Sequence, residues 1–328
     1  MTSATQLVGH DEQVAALRAA SDSGRLHHAW LLTGPEGIGK ASFALAAATR
    51  LLAEAAGPPV SLPGLETPET HPVANYIRAG SHPDLRILTR LTKDRSEDLA
   101  RSISIDQVRS LQSLFATTPS LSSRRIVIID AIDDLERPAA NALLKSLEEP
   151  PAGTLFFLVS HAPGRLLPTI RSRCRQLRFA PLDDRQMLAA LLAALPDEPR
   201  DEIDALIRSG QGSPGRALSF AGLQIAALDA AMDRLVVEGD ATNAIRAQLA
   251  KQLSGKAAQA RYEAFLERAP ARIAAEARTR AGRAMAEALA LWEDARRIGE
   301  SAVHLSLDPA TTVFELAGLL ARLAPAGR

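Results

Sequence analysis

Four consecutive apolar residues, Ile126-Val-Ile-Ile129, end on Asp130 and constrain this chain more than any other stretch. A strand that is apolar at every position is buried on both faces, as in a parallel sheet covered by helices. From Ala29 to about Ala180 short apolar runs alternate with helical patterns, which predicts a mostly parallel sheet. The expected strands are Ala29–Thr33, Leu85–Leu88, Arg125–Ile129, Leu155–Ser160 and Gln176–Phe179. Between the third and fourth, Asn141-Ala-Leu-Leu-Lys-Ser-Leu-Glu-Glu-Pro-Pro151 reads as a short helix stopped by two prolines. The Pro/Gly-rich stretch from Ala56 to Pro83 has little periodicity and reads as an irregular insertion.

The character changes at Pro181. Residues 184–222 read as short helices broken at Pro196 and at Gly210-Gln-Gly-Ser-Pro-Gly215. From about Leu223 onward alanine-rich helical patterns dominate, including Ala284–Arg297 and Thr312–Leu323. The expected organisation is an α/β core over 1–181, a helical lid over 182–222 and an all-α domain over 223–328.

Charge and cysteine content narrow the function. Thirty-eight basic residues balance thirty-eight acidic ones, so no field of the whole chain gathers nucleic acid. Aromatic residues are only 4% of the chain, which also disfavours a dedicated DNA-binding module. The single cysteine, Cys174, excludes an internal disulfide and a multi-cysteine zinc site, and it reads as a small packing residue. The opening Met1-Thr-Ser-Ala-Thr-Gln6 lacks a basic start followed by an apolar run, and no segment is apolar for long enough to span a membrane. The expectation is a cytoplasmic protein without a membrane partner.

Three features carry chemistry. Gly34-Pro-Glu-Gly-Ile-Gly-Lys40 lies between a strand and a helix, where Gly34, Gly37 and Gly39 allow a nest of N–H groups for phosphate and Lys40 would reach its outer oxygens. The pattern then requires Ser or Thr to bind magnesium, but Ala41 stands there, and Ser42 is about 100° further around the helix. Asp130 ends its strand where a magnesium-holding carboxylate is expected, yet the next position, normally a glutamate that orients water, is Ala131. Asp133 and Asp134 would need an unusual backbone path to substitute. The third feature is Arg171-Ser-Arg173-Cys174 before the last strand: an arginine suited to a neighbour's γ-phosphate, or a plain surface charge. The plainer alternatives for the other two are a packing turn and a strand-end cap.

Taken with Gly24-Arg-Leu-His-His-Ala-Trp30, Ala139–Pro151 and Gly212-Ser-Pro-Gly-Arg216, these motifs resemble bacterial clamp-loader AAA+ subunits over about residues 5–220. The losses at Ala41 and Ala131 make the chain most similar to the stator (delta-prime) type of DNA polymerase III, and not to the ATP-hydrolysing gamma/tau type. The resemblance implies an AAA+ RecA-like parallel-sheet core, a helical lid and a C-terminal helical collar. It further implies a pentamer with gamma/tau motor subunits and a delta subunit, acting on a sliding clamp and primed DNA. Arg173 would complete the neighbour's ATP site as an arginine finger, and Arg216 would be a second sensor facing this chain's own degenerate site of Gly34, Gly37, Gly39, Lys40 and Asp130. Asn141 and Lys145 would lie beside the subunit interface, or simply on a solvated face. No cofactor is required on this reading, with weak ATP or ADP binding left open. Such subunits commonly carry a four-cysteine zinc module; about Leu52–Pro83 has no cysteine, only His71 and His82, so no zinc is expected. The competing function is an autonomous motor of the gamma/tau type, which residues 41 and 131 disfavour.

Overall fold

The computed structural model describes residues 7–93, 99–305 and 307–325. Met1–Gln6, read above for an export signal, lie outside the described residues. Two compact units divide the chain: one of residues 1–196 and 211–216, the other of 197–210 and 217–328. The segment 182–222 therefore contributes to both.

The first unit runs α1 (Asp11–Asp22), β1 (Ala29–Thr33), α2 (Lys40–Ala56), α3 (Pro72–Arg78), β2 (Leu85–Leu88), α4 (Ile105–Arg109), α5 (Leu111–Phe115), β3 (Arg125–Asp130), α6 (Arg137–Glu148), β4 (Thr154–Ser160), α7 (Pro168–Arg171), β5 (Arg175–Arg178) and α8 (Asp184–Ala194). The five strands form one parallel sheet in the order β2-β3-β4-β1-β5. In β1 and β4 every residue is buried, as uninterrupted apolar runs require when helices cover both faces. Phe43, Ala47 and Leu51 of α2 pack one face with Ile126, Ile128 and Phe157. Leu143 and Leu147 of α6 pack the other with Val127, Ile129 and Phe156. Cys174 joins this second layer, and burial pushes its thiol up to about 12, so it is an inert packing group.

The 56–83 insertion departs from the expected irregularity, because α3 forms within it. His71 caps this helix through Nδ1, which accepts the Val73 N–H at 3.2 Å, and Pro72 occupies the first turn. Seven residues are too few to show a helical repeat. The loop ahead of it is held by Arg50 of α2: its guanidinium, almost fully buried, donates to the carbonyls of Val60 (3.0 Å), Leu62 (2.7 Å) and Glu66 (2.6 Å) and pairs with Glu54 at 2.6 Å.

The second unit is helical: α9 (Arg200–Gly210), the end of α10 (Pro214–Ser219), α11 (Ile225–Glu238), α12 (Ala244–Leu253), α13 (Gln259–Ala277), α14 (Gly282–Leu305) and α15 (Pro309–Ala321). Helix α13 packs along α14, and α12 along α15. Buried Glu202 accepts the first N–H groups of α11, Ile225 at 2.6 Å and Ala226 at 2.8 Å, placing a carboxylate where a helix start is electropositive. Arg268 of α13 binds Asp229 of α11 and Ser209 of α9. No helix among the described residues is long and apolar enough to cross a membrane.

Candidate functional site: a closed phosphate loop and an exposed arginine

The glycine loop leaves β1 at its C-terminal end and enters α2 at Lys40. Gly34 has φ 151°, and a Cβ there would lie 2.4 Å from the Phe179 carbonyl oxygen, so the turn fits only glycine. Lys40 does not project into an open cradle. Its Nζ donates to the Gly34 carbonyl at 2.7 Å and to the Pro35 carbonyl, and the residue is 2% exposed. Burial drives its ammonium down to about 8 from an ordinary 10.5, with the Asp130, Asp133 and Glu36 carboxylates pulling the other way.

The remaining loop carbonyls are also engaged. Ser213 Oγ donates to Glu36 O at 2.9 Å, the Gly215 N–H to Gly37 O at 2.8 Å, and the His10 ring Nε2–H to Ile38 O at 2.7 Å. Five successive carbonyls, 34 to 38, thus accept from this chain's own donors. The Ser213–Arg216 segment lies directly against Gly37, where a Cβ would come within 2.5 Å of Ser213 Oγ and 3.1 Å of the Arg216 nitrogen. The Arg216 side chain reaches Gln211 Oε1 at 3.2 Å. His10, buried and stacked edge-on to Phe179 at 4.8 Å, is held below the ordinary histidine pKa by desolvation. Neither Ser213 nor His10 is marked by a motif of its own; the Ser is visible only within Gly212-Ser-Pro-Gly-Arg216.

Asp130 ends β3 beside this loop. Burial raises its pKa, opposed by His161 and Lys40, so the structure brings Lys40 and Asp130 into one electrostatic site. The two alanines are as the sequence has them: Ala41 is exposed on the first turn of α2, and Ala131 is buried, offering a methyl where a hydrolase holds a carboxylate. Neither nearby acid replaces it. Asp133 is consumed by the end of β4, accepting from Ser160 Oγ at 2.9 Å and from the N–H groups of His161 (2.6 Å) and Ala162 (3.3 Å). Asp134 pairs with Arg90 at 3.1 Å. Of the two magnesium-binding positions in the motifs, Asp130 retains its carboxylate and Ala41 offers no oxygen.

Arg173 is at the other end of the sheet. The Thr33–Phe179 hydrogen bond (2.7 Å) levels the phosphate loop with the C-terminal end of β5, whereas Arg173 precedes Arg175, which pairs with Trp30 at the start of β1. Four strand residues, about 13 Å, separate the two levels. The Arg173 guanidinium donates to Thr169 O at 2.9 Å through Nη1 and pairs with Glu148 Oε1 at 2.7 Å through Nη2. Its side chain is 33% exposed and that of Glu148 49%. Asn141, Lys145 and Glu148 are all exposed on α6. Glu148 was not singled out from the sequence, where an acid before two prolines looks like an ordinary surface residue.

The family model described as DNA polymerase III, delta subunit, matches residues 9–183, more than half of the chain and including the phosphate loop, Asp130 and Arg173. The DNA polymerase III subunit delta' of Pseudomonas aeruginosa is 38% identical over 190 residues, 57% of this chain and 53% of that protein. The delta' subunit of Escherichia coli is 33% identical over 210 residues, covering 62% and 57%. A gamma/tau subunit of Mycobacterium bovis is 33% identical over 223 residues, covering 65% of this chain and 36% of that protein. The match thus spans little more than half the length of the two delta' relatives. With a parallel β2-β3-β4-β1-β5 sheet, a phosphate loop after β1 and a carboxylate after β3, the chain belongs to the DNA polymerase III, delta subunit family, with delta' subunits among its relatives.

Proposed function

We propose that this chain is the stator of a DNA polymerase III clamp loader, which assembles with gamma/tau-type motor subunits and a delta-type subunit in the cytoplasm and helps load a sliding clamp onto primed DNA. It hydrolyses no ATP and needs no bound nucleotide. Its chemical contribution is Arg173, which reaches the γ-phosphate of ATP held by a neighbouring motor subunit and stabilises the charge that develops there. The observation that carries this reading is the separation of the two features: the chain's own loop is engaged by Lys40, Ser213, Gly215 and His10, while Arg173 stands part-exposed at the opposite end of the sheet.

Lys40 can reach a triphosphate only by leaving the Gly34 and Pro35 carbonyls, and Ala41 and Ala131 would leave the nucleotide without a metal ligand and without a positioned water. Arg216, beside the same loop, then acts as part of its closure. In the insertion Arg50 draws the loop carbonyls together, which is the task a zinc module would perform, so no zinc is required. The helices from 223 onward supply the collar through which the assembly forms, and Asn141 and Lys145 lie on the face that meets the neighbour. The test is to mix the chain with its gamma/tau-type and delta-type subunits, size the product and follow ATP turnover. We expect one hetero-oligomer that turns over ATP, and background turnover by the chain alone. Robust turnover by the isolated chain that disappears in Lys40→Met would overturn the proposal in favour of a motor.

A further inference from the structure

We propose that Glu148 is a positioning residue for Arg173: it holds the guanidinium at the exposed end of α6 and releases it to a phosphate of the nucleotide bound by the neighbouring subunit. This rests on the reading of Arg173 given above. Glu148 is the last residue of α6, where the unsatisfied carbonyls make the helix end electronegative and a carboxylate is disfavoured unless a cation accompanies it. Among the described residues the cation is Arg173, its Nη2 at 2.7 Å from Oε1. The second anchor, Nη1 to the Thr169 carbonyl at 2.9 Å, fixes the other arm of the fork. Together they present the guanidinium in one place and leave further N–H groups for a new acceptor.

Position and strength both suit an exchangeable contact. Asn141, Lys145 and Glu148 recur at i, i+4 and i+7, so they form one exposed polar line along α6 that ends at Arg173. A subunit seated along that line meets the guanidinium at its end. A carboxylate and a phosphate compete for the same planar fork, and the phosphate carries more charge. Because the ion pair is half exposed, breaking it costs little. Glu148 therefore keeps Arg173 ordered before docking and raises the ATP concentration at which the exchange occurs.

The experiment is an ATP titration of turnover by the reconstituted complex containing wild-type chain, Glu148→Gln, Arg173→Ala or both changes. Gln keeps an acceptor oxygen at the same reach but removes the competing charge. Glu148→Gln should lower the KM for ATP about two- to fivefold, the range set by exposed ion pairs, with kcat unchanged. The difference should shrink as salt is raised and vanish in the Arg173→Ala background. An unchanged or raised KM, or an effect that persists without Arg173, overturns the role of Glu148 while leaving Arg173 in place. If Arg173→Ala itself leaves turnover unchanged, the reading of Arg173 fails and this proposal with it.

Discussion

The two ends of the β1–β5 pair have opposite fates. At the C-terminal end the phosphate loop is folded onto itself, with Lys40 buried against Gly34 and Pro35 and Ser213 closing on Glu36. At the N-terminal end Arg173 is part-exposed and held by the exposed Glu148 carboxylate and the Thr169 carbonyl. The same core thus uses one edge for packing and leaves the other accessible. The difference teaches that groups able to serve a nucleotide or its water can instead be engaged within the chain itself. Lys40 donates to backbone carbonyls, and the acids Asp133 and Asp134 support β4 and pair with Arg90.

The strongest way to break this contrast is steric. Gly34→Ala would place a Cβ 2.4 Å from the Phe179 carbonyl, so denaturant unfolding should show a loss of roughly 3–5 kcal/mol. A loop that tolerated alanine there would not be closed against β5. A somewhat smaller effect is expected from pH. Lys40 titrates at about 8 in the folded chain and 10.5 when unfolded, so between those values the unfolded chain binds more protons and stability rises with pH. At about 1.4 kcal/mol per pH unit the rise reaches roughly 3 kcal/mol, and Lys40→Met should remove it when unfolding is compared at pH 7 and pH 10.5. A wild-type rise equal to that of the variant would mean that Lys40 is not held in a desolvated site. The smallest effect belongs to the open end, where Arg173→Ala should change stability by less than about 1 kcal/mol, as for other exposed pairs.

Much of the core is legible in the sequence because burial writes itself into composition. The run Ile126–Ile129 and the stretch Leu155–Ser160 could only be doubly covered strands, and both were bounded to within one residue. The edge strand was harder: Arg175-Gln-Leu-Arg178 has one buried side chain, so its start was read one residue late. Helix α3 escaped notice because it is short and capped by a histidine. In the site, absent chemistry was easier to read than present geometry. Ala41 and Ala131 stand out at a glance as a missing hydroxyl and a missing carboxylate, whereas the closure of the loop depends on Ser213, which meets Glu36 from 177 positions away. No local pattern records such a meeting, nor the pairing of Glu148 at the end of α6 with Arg173 in the turn before β5.

The most direct test of the central claim sets the two ends against each other in one assay. ATP turnover by the reconstituted complex should fall by about tenfold or more with Arg173→Ala, given the scale of arginine-finger contributions, and should stay near wild type with Lys40→Met. Loss of turnover with Lys40→Met and none with Arg173→Ala would show that the chain works through its own loop, and would contradict the account.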